Sequence, residues 1–210
     1  MHILKKEDLK KLLNTWSLAF EVYAPTKNQG DIMLLPYEEN ELNLDYINFP
    51  FPIKEFLFKQ KEELFHWNNN NGSIKTHTPE IFSENKSILF GVRPCDAYGV
   101  AYMDKFFLEG FNDELYQKNR EATFIAAVNC LEVGEDCFCS SMGTGPFASV
   151  GYDILFTPLE NEYLIEVVSV KGEELLALGE HLFTEADNKQ LKEKQVIEGS
   201  VWKNLKQLLK

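Results

Sequence analysis

Apolar residues recur at helical spacing near the start of the chain. Leu9, Leu12, Leu13 and Trp16 fall on one face of Lys6–Trp16 and predict an amphipathic helix. Phe20–Tyr23 and Asp31–Leu35 are short apolar runs around the turn-forming stretch Pro25–Gly30, and predict two strands. Pro50 and Pro52 precede Ile53–Leu64, which reads as a short helix because proline suits a first helical turn. Asn68–Gly72 reads as a surface loop.

The centre is more strongly patterned. Ser87–Val92 is a continuous apolar run, as expected of a strand buried on both faces. Arg93-Pro94-Cys95-Asp96 ends it, and Asp96 is placed to cap a helix over Ala97–Phe107. Thr123–Val128 is a second buried strand, ending at Asn129-Cys130. Strand, helix and strand in this order predict a right-handed βαβ unit with parallel strands. A loop from Glu132 to Pro146 follows, then a hairpin of Tyr152–Leu159 and Glu162–Val170 turning at Glu160 and Asn161. Gly172–Gly179 and Thr184–Lys194 read as helices, and Val201–Lys210 aligns Val201, Leu205, Leu208 and Leu209 on one face. The expected fold is α/β (or α+β): a mixed sheet with a central parallel βαβ unit, flanking helices and a β-hairpin. One cluster-binding domain spans residues 1–200, and 201–210 is a terminal helical stretch.

Composition narrows the function. The 210 residues are 44% hydrophobic, enough for one sizeable core. The formal net charge of −12 disfavours a nucleic-acid partner, and no basic patch interleaved with aromatics offsets it. Lys5 and Lys6 are followed by Glu7 and Asp8, not by the apolar stretch of a signal peptide. No run approaches the roughly 20 apolar residues that span a bilayer. The expectation is a cytoplasmic protein with no membrane partner. Cysteines are normally reduced in that compartment, so a clustered set points to metal binding or catalysis.

All four cysteines lie in the middle of the chain, at Cys95, Cys130, Cys137 and Cys139. Cys95 and Cys130 each follow a buried strand, and ligands collect at the carboxyl ends of parallel strands. Cys137 and Cys139 sit on the loop that starts at Cys130, so four thiols can converge. Four thiolates suit Zn²⁺ or an iron–sulfur cluster. One-residue spacing in Cys137-Phe138-Cys139 departs from the usual zinc knuckle. Pro94, Phe138, Met142 and Phe147 offer an apolar wall, and the small residues of Ser140–Pro146 offer backbone N–H groups to cluster sulfurs. These features favour the cluster. Zinc, unrelated buried cysteines and a disulfide pair stand as alternatives.

Other motifs carry less. Gly143-Thr144-Gly145 lacks a nucleotide-loop pattern. His66 and His77 read as scattered surface histidines. Arg93 either neutralises cluster charge or pairs with Asp96 or Asp104. No catalytic acid, base or nucleophile is visible. A small ligand or flavin, were the domain to take one, belongs at the carboxyl edge of the sheet.

The blocks Phe90-Gly91-Val92-Arg93-Pro94-Cys95-Asp96, Asn129-Cys130 and Cys137-Phe138-Cys139-Ser140-Ser141-Met142-Gly143-Thr144-Gly145-Pro146 resemble the N-terminal region of the iron–sulfur beta subunits of cytoplasmic NiFe hydrogenases (sulfhydrogenases). They are also similar to the corresponding subunit of anaerobic sulfite reductase. The likeness extends to Val22-Tyr23-Ala24-Pro25 and Lys54–Phe58, and covers most of the chain to about Leu159. It implies an electron-transfer subunit of an oxidoreductase complex, without a catalytic centre of its own. Its four cysteines would hold one [4Fe–4S] cluster, with Arg93, Pro94, Phe138, Gly143 and Gly145 around it. Electrons would pass between a flavin subunit using NAD(P)H and a hydrogenase or sulfite reductase catalytic subunit. Family members continue into a ferredoxin-like module with two further clusters. This sequence stops at Lys210 without those cysteines, so the module is expected on another chain or beyond a truncation. The alternative remains a structural zinc-binding docking or scaffold subunit without redox activity.

Overall fold

The computed structural model describes residues 1–61, 65–70, 73–77, 86–110 and 112–208. In chain order the elements are β1 (His2–Lys5), α1 (Leu9–Ser17), β2 (Glu21–Asn28), β3 (Asp31–Pro36), α2 (Lys54–Leu57), β4 (His66–Asn70), β5 (Ser73–His77), β6 (Ser87–Val92), α3 (Pro94–Leu108), α4 (Glu114–Ala122), β7 (Thr123–Val128), α5 (Cys139–Met142), β8 (Ile154–Pro158), β9 (Glu162–Val167), α6 (Val170–Leu178), β10 (Phe183–Glu185) and α7 (Asn188–Leu208).

Eight strands form one mixed sheet in the order β10-β1-β9-β8-β7-β6-β2-β3. β2, β6, β7 and β8 are parallel neighbours, with antiparallel strands on both sides of them. β4 and β5 pair separately as a hairpin. The alternation along the central strands builds a three-layer α/β fold. Phe124 and Ala126 of β7, with Ile88 and Phe90 of β6, face α1 and α6. Trp16 is fully buried there, and its indole N–H donates to Leu175 O at 3.0 Å. Ile125 and Leu89 face the other way, onto Leu57 of α2, Ala97 and Val100 of α3 and Tyr116 of α4. Beneath the antiparallel end, Ile3 and Leu164 pack with Leu191 and Ile197 of α7.

The expected central βαβ unit and the β8–β9 hairpin are present. Several boundaries differ for physical reasons. β2 runs through Pro25 to Asn28, and the turn is only Gln29-Gly30, both at positive φ. Pro25 needs no donor there, and its carbonyl accepts from Asn43 N–H at 2.8 Å. The helix expected over Ile53–Leu64 is the single turn α2, with 62–64 outside the described residues. Asn68–Asn70 belong to β4, not to a loop, and 71–72 lie outside the described residues. His66 and His77 stand opposite each other in that hairpin. Thr184 belongs to β10, which pairs with β1, and the helix begins only at Asn188. Val201 and Leu205 are buried rather than forming an open apolar face; Leu209 and Lys210 lie outside the described residues.

Candidate metal centre at the carboxyl edge of the sheet

β6 and β7 run parallel, so Arg93–Cys95 and Asn129–Cys130 emerge at the same edge. Gly91 sets how they emerge. Between Phe90 and Val92 the register with β7 slips by one residue, a bulge. Val92 therefore joins the layer of Leu89 and Ile125 instead of following Phe90. Gly91 has φ +90°, and a Cβ there would lie 2.6 Å from Pro25 Cγ and 2.7 Å from the Tyr46 hydroxyl. Only glycine fits that approach without strain.

The helix after β6 begins earlier than the sequence suggested. Pro94 is its first residue and Arg93 its cap, so Asp96 lies inside the first turn and caps nothing. Proline can start a helix because its missing N–H would be unpaired there. Cys95 therefore sits among the free amides of a helix start, exposed at the surface. Cys130 follows β7, and its N–H donates to Pro146 O at 3.3 Å, closing the loop on itself. Asn129 is buried and braces the same loop. Its amide donates to Thr157 Oγ1 at 2.8 Å, and its side-chain carbonyl accepts from Ala148 N–H at 2.9 Å. Cys137 Sγ accepts from Gly134 N–H at 3.2 Å. Cys139 opens the one-turn α5. A Cβ on Gly145 would meet Cys139 Sγ at 3.3 Å and Pro94 Cβ at 3.4 Å, so Cys139 packs beside the start of α3.

Charge couples the four sulfurs. Burial pushes the Cys130 thiol up to about 12; Arg93 opposes this, while Cys95, Cys139 and Cys137 add to it. Although Cys95 is exposed as a residue, the protein packed around its thiol, with Asp96, pushes it up to about 11, against the backbone N–H groups of Asp96 and Cys95 itself, and Cys139 adds. Cys139 is raised by burial and then by Cys137. Among the described residues no three His, Cys, Asp or Glu side chains are set closely enough to hold a metal as they stand. The structure thus brings the four cysteines to one edge and into electrostatic reach, without closing them into a coordination shell. The donor set and its cation fit a thiolate-held centre: four thiols, an amide already on Cys137 Sγ, and the buried guanidinium of Arg93.

Arg93 pairs with neither aspartate named from the sequence. Asp104 instead accepts from Arg120 Nε at 3.2 Å and from the Tyr116 hydroxyl at 2.6 Å. Arg93 acts on Asp96 only through its charge, opposing the burial that lifts that carboxyl to about 6. Its guanidinium donates to the carbonyls of Tyr46 and Asn129 and lies 3.9 Å from the centre of the Tyr46 ring. The apolar wall is incomplete: Pro94 is buried, but Phe138 and Met142 are 64% and 63% exposed. Of the Ser140–Pro146 amides, the Ser140 N–H lies at the Cys139 sulfur and opposes the rise of that thiol, while those of Gly143 and Thr144 turn back to Ser140 O and Cys139 O. Tyr46 and Asn129 were not singled out from the sequence. Asn129 carried one signal, a polar residue closing a buried strand next to a cysteine. Tyr46 carried none.

The parallel edge of the mixed α/β sheet thus presents four thiols on two neighbouring loops. No family model matches the chain, and no solved structure matches it. Among characterised proteins it is 32% identical, over 197 residues, to sulfhydrogenase 2 subunit beta of Pyrococcus furiosus. The alignment covers 90% of this chain and 56% of that relative. Over nearly its whole length the chain is similar to a sulfhydrogenase beta subunit, and it spans a little over half the length of this relative. No helix among the described residues is long and apolar enough to cross a membrane.

Proposed function

We propose that this chain binds one iron–sulfur cluster through Cys95, Cys130, Cys137 and Cys139, and relays electrons within a cytoplasmic hydrogenase-type complex. The observation that supports the reading is the placement of Cys95 and Cys130 just after the neighbouring parallel strands β6 and β7, with Cys137 and Cys139 on the loop that follows, in a chain similar to a sulfhydrogenase beta subunit. A [4Fe–4S] centre held there supplies one-electron exchange. Around it, Gly134 N–H holds the Cys137 sulfur, Gly145 leaves room for Cys139 beside Pro94, and Asn129 keeps the loop closed. Arg93 offers positive charge to a site that becomes negative when its thiols ionise. Partners on either side would be a flavin subunit using NAD(P)H and a hydrogenase or sulfite reductase catalytic subunit, with a ferredoxin-like module carrying further clusters between them.

Anaerobic metal and acid-labile sulfide analysis tests this directly. The expected result is brown protein with about four irons and four sulfides per chain, as a [4Fe–4S] centre requires. Colourless protein with one zinc per chain, unfolding on chelation, would instead establish the structural zinc module.

A further inference from the structure

A cavity of about 680 Å³ opens beside the cysteine loop, at the carboxyl ends of β6, β7 and β8. That volume lies in the range of small-molecule sites, and the place is where ligands of open parallel sheets gather. None of the four cysteines lines it. Its inner wall is Phe90, Val128 and Pro158, one from the end of each strand, and Arg93 sits beside them.

Arg93 is the unusual group. It is only 7% exposed, and among the described residues no carboxylate pairs with it. Two of its nitrogens reach backbone carbonyls, but its Nε–H has no hydrogen-bond partner. A buried, unpaired cation with a free donor is costly unless an anion meets it. The remaining charges narrow the ligand. Lys6 stands exposed at the mouth, while Asp31, Asp45 and Glu132 stand exposed on the rim. One deep cation behind an acidic rim favours a single negative charge and opposes a multiply charged phosphate. We infer that this cavity is a binding site for a small organic monoanion, whose carboxylate-like group pairs with the Arg93 guanidinium and whose apolar body lies against Phe90, Val128 and Pro158.

The site does not depend on the cluster, because no cysteine enters the cavity, and iron content is read separately in the same samples. Benzoate serves as the probe, with benzyl alcohol as its neutral counterpart and inorganic phosphate as the multiply charged one. Titration calorimetry on the anaerobically prepared chain, with and without iron, should show saturable benzoate binding and little for the other two. Arg93→Met should weaken benzoate at least about ten-fold, the loss of one charge-assisted hydrogen bond. Should that variant fail to fold, Leu44→Trp, at a wall residue 37% exposed, should narrow the cavity and weaken benzoate while leaving Arg93 intact. The inference is overturned by no saturable benzoate binding in either form, by phosphate binding more tightly than benzoate, or by unchanged affinity in Leu44→Trp.

Discussion

Asn129→Ala probes the brace that holds the cysteine loop to the sheet. The side chain is 1% exposed and makes two hydrogen bonds, to Thr157 Oγ1 at 2.8 Å and from Ala148 N–H at 2.9 Å. Thr157 is fully buried, so its hydroxyl is stranded when the amide is removed. Each lost bond contributes about 1 kcal/mol net, and a stranded buried partner adds about 1–3 kcal/mol. The variant should lose about 3–5 kcal/mol. Urea unfolding followed by circular dichroism should show a lower midpoint with an unchanged slope. Thr157→Val strands the Asn129 amide but leaves its bond from Ala148 N–H in place, so it should cost less. The double variant should then lose less than the sum, because the two side chains share one interaction. Alkylation of Cys130 should also quicken, since the loop is tied through Ala148 and Pro146. An Asn129→Ala protein within about 0.5 kcal/mol of the parent would refute the brace and the reasoning built on it.

Four further outcomes are expected. Gly151→Ala should destabilise by at least about 2 kcal/mol in the same urea assay, because φ is +79° and a Cβ would fall 1.7 Å from Ala97 O. Phe156→Ala should cost about 3–5 kcal/mol, since this fully buried ring packs edge-on against Trp16, Phe90 and Tyr163. Burial lowers Lys171 to about 8 although its ammonium donates to Arg120 O and Thr123 O; from about pH 8 to 10 the unfolded chain holds a proton that the folded chain has released, so stability should rise across that window by up to roughly 3 kcal/mol, and Lys171→Met should flatten the rise in urea midpoints. Cys130→Ser should remove most of the anaerobically bound iron, and iron content equal to the parent's would take Cys130 out of the proposed ligand set.

The strands that place the cysteines were legible because they are buried on both faces. Ser87–Val92 and Thr123–Val128 show this as unbroken apolar runs, and their boundaries matched. β1 and β10 were not legible. They have four and three residues, too short for a period, and exist through pairing with each other and with β9. The start of α3 was misplaced because Asp96 looks like a cap, whereas Pro94 at the first helical position decides the boundary. The asparagine-rich β4 was missed because composition speaks for loops, while cross-strand pairing makes the hairpin.

Arg93 shows why a site can be half visible. Its nearness to Cys95 was plain in the sequence, and a cation beside thiols suggested a charge role. The sequence does not show that its charge would go unpaired, because that depends on a competition in space. Asp104 is taken by Arg120 and Tyr116, and Asp96 lies close enough to feel the guanidinium without bonding to it. The chain instead holds Arg93 with neutral groups, two carbonyls and the face of Tyr46. Neutral partners fix its position, and its charge is offset only in part, at a distance, by Asp96. The rest of the compensation is what the proposed thiolate centre and the proposed organic anion would each supply. With both present, filling the cavity with benzoate would place negative charge near the cysteines and lower the reduction potential of a cluster held there. A potential unchanged by saturating benzoate would separate the two sites.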